Sequence, residues 1–311
     1  MKAVVLPAFD ESPQLVEIDI PTPDEGEVRV QIHAAAVNGF DLAVAGSMLQ
    51  GAVEHRFPVV LGKDFAGTID AVGAGVDGYQ IGDRVFGVVT KPFLGDGSFA
   101  EYATVAVSVG LAKIPDNVSF TEAAALGLAG TAATDALDAA RLDKGSTVLI
   151  AGATGGVGTL AVQLAAAAGA RVIATAKSQN EIDHVRELGA TDTVDYTQDV
   201  AGQVLNLVPE GVDAVLHFAG DPQPLTQAIG RGGKLVSTLL QSPEQVQAEG
   251  VEVASVYAQP TPETLRRLAA NQLAGNATVV IEKVYDLEHA TDAFAHFGSG
   301  TLGKLVLSVQ P

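Results

Sequence analysis

The stretch that decides the fold is Val148-Leu149-Ile150-Ala151-Gly152-Ala153-Thr154-Gly155-Gly156-Val157-Gly158. In it an apolar run enters a turn of small residues, and an Ala-rich segment follows. Such a turn lets the strand bend tightly, lets a pyrophosphate approach the backbone, and lets the next helix pack closely on the strand. The first N–H groups and the dipole of that helix favour an anion. We therefore predict a dinucleotide site formed by Ala153, Thr154, Gly155, Gly156, Val157 and Gly158; a glycine turn without a ligand is the alternative.

The sequence around this turn alternates short apolar strands with helices. Strands are predicted at 147–151, 171–175, 214–218 and 234–238, and helices at 158–168 and 179–188. This alternation is typical of a doubly wound parallel sheet. Up to about residue 115 the chain instead has short Val-rich runs between Gly, Pro and Asp turns, which predicts a β-rich part. The Ala-rich segments 121–126 and 131–140 are predicted to be helical, with Ser119 or Thr121 as an N-cap.

The end of the second predicted strand, Thr175-Ala176-Lys177-Ser178, bears on the choice of cofactor. An NAD site commonly has a carboxylate there that accepts from the ribose 2′-hydroxyl. This segment has Ala176 instead, and then a cation and a hydroxyl that suit a 2′-phosphate. The alternatives are a solvated surface role for Lys177 and a helix N-cap role for Ser178, whose spacing to Glu181 matches a capping box.

Composition narrows the classes of function. The chain has 311 residues, enough for two domains, and its net charge of −19 disfavours binding to nucleic acid or anionic membranes. The absence of cysteine excludes disulfides, thiolate metal ligands and a Cys nucleophile. No signal peptide or membrane span is recognisable, and we expect a cytoplasmic protein.

Several further segments, in order along the chain, carry a family resemblance. They are Ala36-Val37-Asn38-Gly39-Phe40-Asp41, Leu61-Gly62-Lys63-Asp64-Phe65-Ala66-Gly67, Ile81-Gly82-Asp83-Arg84-Val85-Phe86-Gly87, Gly97-Ser98-Phe99-Ala100-Glu101-Tyr102, Ala125-Leu126-Gly127-Leu128-Ala129-Gly130-Thr131-Ala132, the glycine turn, and Gly303-Lys304-Leu305-Val306. Together they resemble the zinc-independent, zeta-crystallin-like quinone oxidoreductases of the medium-chain dehydrogenase/reductase family.

This resemblance implies an α/β fold with a GroES-like catalytic domain over residues 1–120 and 283–311. A Rossmann NADP-binding domain over 121–282 would complete it, with the site in the cleft. Asn38 and Thr131 would contact the nicotinamide end, Tyr196 the adenosine phosphate, and the Phe218-Ala219 turn the nicotinamide ribose. The alternatives are a turn residue for Asn38, an N-cap for Thr131, a surface aromatic for Tyr196 and a core residue for Phe218.

The resemblance also implies where this chain differs from zinc-dependent relatives. Asn38 and Lys63 stand where those enzymes have a Cys and a His ligand, and the cysteine-rich zinc lobe is absent. The residue two after Thr131, often aromatic in closer relatives, is Ala133, and the segment Met48–Arg56, expected to border the substrate, matches no recognisable pattern.

We therefore expect metal-free, NADPH-dependent hydride transfer to a quinone or an α,β-unsaturated carbonyl. No general acid is assigned, since structural roles are favoured for Tyr102 and Lys63. A non-catalytic, crystallin-like NADPH-binding protein is the alternative function. A homodimer is expected through a Val-rich edge strand at 251–256 or 278–281.

Overall fold

A computed structural model describes residues 1–309 of the chain. In chain order, the strands are β1 (Lys2–Leu6), β2 (Gln14–Glu17), β3 (Glu27–Ala36), β4 (Val59–Val60), β5 (Asp64–Val72), β6 (Arg84–Val88), β7 (Tyr102–Ala106), β8 (Leu111–Lys113), β9 (Thr147–Ala151), β10 (Arg171–Thr175), β11 (Asp192–Val194), β12 (Val212–His217), β13 (Ile229–Ser237), β14 (Glu252–Ser255), β15 (Ile281–Asp286) and β16 (Lys304–Ser308). The α-helices are α1 (Gly39–Ala45), α2 (Phe120–Ala140), α3 (Gly156–Ala167), α4 (Gln179–Glu187), α5 (Val200–Leu207), α6 (Pro222–Leu225), α7 (Pro262–Ala274) and α8 (Ala290–Gly298).

The described chain forms two compact units. The first combines Met1–Leu128 with Pro260–Leu273 and the chain from Ile281 onward, and the second combines Ala129–Gln259 with Ala274–Val280. The predicted domain boundaries at 120 and 283 stay a prediction. Among the described residues, no helix has both the length and the apolarity needed to cross a bilayer.

The first unit is built on β-sheets. Strands β2, β1 and β4 form a small sheet, and a larger one runs in the order β15-β16-β3-β5-β6-β8, with β7 also paired to β3. Along β3, Val28, Val30 and Ile32 alternate with less buried residues and pack with Phe65 and Ile69 of β5. This two-residue period is what a strand with one covered face requires.

The second unit is a six-stranded parallel sheet in the order β11-β10-β9-β12-β13-β14. In β9, Ile150 lies in one buried cluster and its neighbour Leu149 in another, so both faces of the sheet are covered. The order reverses between β9 and β12, where their carboxyl ends lie side by side. In sheets of this kind, ligands bind at that switch point. The prediction of an α/β fold with a β-rich part and a doubly wound parallel sheet is confirmed.

The segments 121–126 and 131–140 are helical, as predicted, and belong to one continuous helix, α2. Its capping group is Ser119, whose Oγ accepts from the N–H of Glu122 at 3.2 Å. Another local prediction is wrong. The segment 278–281 is not an edge strand of the parallel sheet. Thr278 is hydrogen-bonded to the side chain of Gln163, and Ile281 begins β15 in the other unit.

Candidate functional site

The turn after β9 is shaped by Gly152 and by a hydroxyl from the next strand. Gly152 has φ +81°, a left-handed conformation that favours glycine. The buried Thr175 Oγ1, at the end of β10, accepts from the N–H of Gly152 at 3.0 Å and donates to the carbonyl of Ile150. Thr175 therefore ties the turn to the neighbouring strand. It was missed from the sequence, where it was taken only as a strand residue.

Gly158 and Gly155 have different reasons for being glycine. A Cβ on Gly158 would lie 2.1 Å from the carbonyl oxygen of Gly152, so a side chain there has no room. A Cβ on Gly155 would meet only that same oxygen, at an ordinary 3.7 Å. The structure thus explains Gly158 by helix–strand packing. At Gly155, by contrast, the described residues leave room for a side chain.

Helix α3 begins directly after this turn, with Gly155 as its N-cap. The N–H groups of a helix's first turn have no acceptor within the helix, and here they belong to Gly156 and the residues after it. Thr154, Gly155, Gly156 and Val157 are partly exposed, whereas Ala153 is fully buried in the core. A pyrophosphate therefore fits the exposed part of the turn, and the role of Ala153 is to pack beneath it.

Lys177, Ser178 and Tyr196 meet at the carboxyl ends of β10 and β11. The Lys177 ammonium lies 5.2 Å from the centre of the Tyr196 ring, and both side chains are exposed. The phenol of Tyr196 raises the pKa of Lys177, and the charges of Glu181 and Asp195 add to this. Ser178 is the N-cap of α4, and its Oγ accepts from the N–H of Glu181. The N-cap alternative for Ser178 is thus confirmed, and its hydroxyl hydrogen is left for another acceptor.

The turn after β12 lies against the glycine turn. Phe218 donates its N–H to Ala151 at 2.9 Å, and a Cβ on Gly152 would come within 2.9 Å of the Cβ of Ala219. Phe218 is half-buried and packs on the core, while Ala219 is exposed. The predicted pair thus lies at the switch point.

A buried histidine supports this second turn. The His217 ring bonds Ser237 Oγ at 2.8 Å through Nδ1 and the Gly220 carbonyl at 3.0 Å through Nε2. Burial lowers its pKa, which favours the neutral ring. His217 was not recognised from the sequence, where it reads as part of an apolar strand.

Asn38 lies in the first unit, within a buried polar network. It is the N-cap of α1, and its N–H donates to Asp41 Oδ2 at 2.8 Å. Its Nδ2 donates to Asp64 Oδ2 at 2.9 Å and to the Ala36 carbonyl at 3.2 Å, and its Oδ1 accepts from Lys304 Nζ at 2.7 Å. Both amide hydrogens are therefore in use.

Burial shifts the pKa values of the ionisable groups in this network. Burial raises the pKa of Asp64 against the opposing charge of Lys304, and it raises the pKa of Asp41 to about 7. Burial likewise lowers the pKa of Lys304, against the attraction of Asp64 and Asp41. Asp64 also accepts from the N–H of Leu128 at 2.6 Å. The network therefore joins α1, β5, β16 and the first part of α2.

The residues at the two positions that correspond to zinc ligands in relatives do not fit a zinc ion. The Lys63 ammonium donates to the Val89 carbonyl at 2.9 Å, and the carboxamide of Asn38 is held by Lys304 and Asp64. An ammonium group has no lone pair for a metal, and its charge opposes a cation.

Three other predicted features also have clear positions. Thr131 is fully buried in the middle of α2, so the N-cap alternative for it is wrong. Tyr102 lies in β7, and the centre of its ring is 5.6 Å from the guanidinium carbon of Arg29. In the segment Met48–Arg56, Met48 is 77% exposed and Arg56 stacks on Phe93 at 3.6 Å.

Known proteins match the chain in both units. Residues 24–116 match the alcohol dehydrogenase GroES-like domain, and residues 156–249 match the family described as zinc-binding dehydrogenase. The chloroplast envelope quinone oxidoreductase homolog of Arabidopsis thaliana is 31% identical over 94% of this chain and 92% of its own length. The 2-methylene-furan-3-one reductase of Solanum lycopersicum is 30% identical over 95% of this chain and 76% of its own length.

Among solved structures, the quinone oxidoreductase from Coxiella burnetii superposes with a TM-score of 0.89 at 27% identity, covering 100% of this chain and 99% of its own. The domain matches imply a nicotinamide cofactor, NAD or NADP. The glycine turn fits it because the backbone at Gly155 is open: among the described residues, a Cβ there would meet only the Gly152 oxygen, at 3.7 Å. The chain therefore belongs to the medium-chain dehydrogenase/reductase family, as a quinone-oxidoreductase-like oxidoreductase.

Proposed function

We propose that this protein uses NADPH to reduce a conjugated carbonyl compound, a quinone or an α,β-unsaturated carbonyl, without a metal ion. The observation that carries the proposal is the chemistry of the residues that stand where zinc-dependent relatives have their metal ligands, in a chain whose second unit has a nucleotide turn. Lys63 stands at one of these two positions, the carboxamide of Asn38 at the other is held by Lys304 and Asp64, and the chain has no cysteine.

The second unit would hold the cofactor along the carboxyl ends of its strands. The exposed backbone from Thr154 to Val157 suits the pyrophosphate, and Gly158 lets α3 come close enough to present it. Lys177, Ser178 and Tyr196 suit a 2′-phosphate, because they offer a cation, a hydroxyl and a phenol. Phe218 and Ala219 would face the nicotinamide ribose.

At the nicotinamide end, Asn38 and Thr131 are the proposed contacts. The network around Asn38 fixes the orientation of its carboxamide, since Lys304 and Asp64 bind its two ends. Its contribution would therefore be a fixed polar surface, because both N–H donors are in use.

The missing Lewis acid limits which acceptors can react. When bound, NADPH supplies a hydride. Reducing an isolated ketone would leave a localised alkoxide, and no Lewis acid would be present to stabilise it. A quinone or enone spreads the charge over several atoms, and water can supply the proton. The side chains then need only to position the reactants and exclude water. The names of the two curated relatives, a quinone oxidoreductase homolog and a methylene-furanone reductase, point to the same acceptors.

Oxidation of NADPH with matched acceptors tests this function. The panel pairs a cyclic enone with its saturated ketone and adds a benzoquinone. We expect turnover of the enone or the quinone and none of the saturated ketone. Good oxidation of primary alcohols without activity on the conjugated acceptors would refute the mechanism. Binding of NADPH without turnover of any acceptor would favour the non-catalytic, crystallin-like function.

We also propose that the protein is a homodimer. In the described part of the chain, strand β14 is the last strand of the parallel sheet, with β13 as its one partner there. An unpaired edge is a ready place for a second copy to add its own strand.

A further inference from the structure

The proposed 2′-phosphate pocket contains a carboxylate of the protein itself. Glu181 is the third residue of α4, and its Oε2 accepts from the backbone N–H of Lys177 at 2.7 Å. Its Oε1 lies 3.5 Å from the hydroxyl of Tyr196, which donates to it. Glu181 is half-buried, whereas Lys177 and Tyr196 are exposed. The carboxylate is therefore held inside the cluster.

The arrangement departs from an ordinary capping box. In that motif the carboxylate of the third helical residue bonds the N–H of the N-cap residue, here Ser178. Glu181 instead bonds the N–H of Lys177, one residue earlier. This brings its negative charge toward Lys177 and Tyr196, the same two groups that suit a 2′-phosphate.

Other acidic groups near this pocket are bonded elsewhere. The Asp195 carboxylate accepts from the N–H and the Oγ1 of Thr197, at 2.8 and 2.7 Å. Asp183, farther along α4, accepts from the side-chain amide of Gln179 at 2.7 Å. Of these three carboxylates, Glu181 is the one bonded to a group, the Tyr196 hydroxyl, that is also proposed to bind the phosphate.

We propose that Glu181 limits the selectivity of this protein for NADPH over NADH, because its carboxylate occupies the proposed 2′-phosphate pocket. With NADH, whose ribose has a free 2′-hydroxyl, Glu181 can stay and act as a hydroxyl acceptor, the role that Ala176 cannot fill. With NADPH, the carboxylate and the phosphate would compete for the Tyr196 hydroxyl and repel each other, so Glu181 must turn away. Lys177, Ser178 and Tyr196 favour binding of NADPH over NADH, and Glu181 therefore reduces this difference in affinity. This inference rests on the proposed use of NADPH.

The substitution Glu181→Gln removes the charge and keeps the length and an acceptor oxygen for the Lys177 N–H. We expect it to tighten NADPH binding about tenfold at low salt, equivalent to about 1.4 kcal/mol, and to leave NADH binding unchanged or weaker. The gain should shrink as salt is raised, because the pocket lies at the surface. Asp183→Asn is the matched control. It removes one negative charge from the same helix at a side chain bonded away from the pocket, and we expect less than about a threefold change.

Titration calorimetry or the fluorescence of the bound nucleotide gives both dissociation constants directly. Protein tryptophan fluorescence cannot be used, because the chain contains no tryptophan. The decisive quantity is the ratio of the NADH constant to the NADPH constant, measured in the parent protein and in the Glu181→Gln, Asp183→Asn and Lys177→Ala variants. A rise of the ratio in Glu181→Gln alone supports the proposal.

Two results would overturn the proposal in distinguishable ways. If Glu181→Gln leaves the ratio unchanged while Lys177→Ala weakens NADPH binding, Glu181 does not set selectivity, and the proposed use of NADPH stands. If the parent protein binds neither nucleotide, or if Lys177→Ala has no effect on NADPH, the proposed phosphate site is wrong and this inference fails with it. Equal thermal stability of the variants shows that the changes are local.

Discussion

The buried carboxyl of Asp41 gives a prediction about stability whose size follows from the structure. Asp41 is 1% exposed, and burial raises its pKa from 3.8 to about 7. Between these values the folded protein holds a proton that the unfolded chain releases. The contribution of this group to stability is therefore complete below pH 3.8 and is lost as the pH rises through 7. At about 1.4 kcal/mol per pKa unit, the loss reaches about 4 kcal/mol by pH 8.

Asp41→Asn tests this reasoning. The amide oxygen can still accept from the N–H of Asn38, but the group no longer titrates. We expect the variant to be more stable than the parent at pH 8, by up to about 4 kcal/mol, and the difference to disappear toward pH 4. Urea unfolding at several pH values measures it. Asp41→Ala, which removes the acceptor, should destabilise the protein at every pH. A difference between Asp41→Asn and the parent that does not vary with pH would refute the assignment of a raised pKa.

The remaining predictions concern the nucleotide turn, metal content and assembly. Gly158→Ala should destabilise the second unit, because its Cβ would lie 2.1 Å from the Gly152 oxygen. Gly155→Ala should keep the thermal stability of the parent and weaken nucleotide binding. Equal melting temperatures for the two variants would contradict this. Elemental analysis should find far less than one tightly bound zinc per chain, and one zinc per chain that survives dialysis would disprove the metal-free proposal. Light scattering at micromolar concentration should give twice the chain mass of 31.8 kDa, and the single-chain mass would rule out the dimer.

Local features were predictable because their causes are local. The strands Thr147–Ala151 and Arg171–Thr175 have the predicted bounds, since an apolar run between turn residues marks a buried strand. The Ser178 cap was equally visible in the pattern of residues. The continuity of α2 was not, because the glycines in its middle suggest a break. A Cβ on Gly127 would come within 2.5 Å of Asp64 Oδ1, so this glycine serves packing on a distant strand and does not end the helix.

Features that depend on distant residues could not be predicted from patterns. Lys304 meets Asn38 across 266 residues of sequence, and no periodicity indicates that pairing. Without it, Asn38 reads as a side chain with free donors, whereas the structure shows both donors in use. For Glu181, the sequence predicted the cap but not that the carboxylate would turn toward Lys177 and Tyr196.

The most direct test of the central proposal is to follow the transferred hydride. NADPH carrying deuterium at the transferred position is mixed with a cyclic enone and the chelator-treated protein, and the product is examined by mass spectrometry and NMR. The proposed metal-free mechanism predicts a saturated ketone with deuterium on the carbon β to the carbonyl and a solvent hydrogen on the α carbon. Deuterium on the carbinol carbon of an allylic alcohol would show direct carbonyl reduction, and activity that disappears with the chelator and returns with zinc would show a metal requirement. Either result would contradict the proposal.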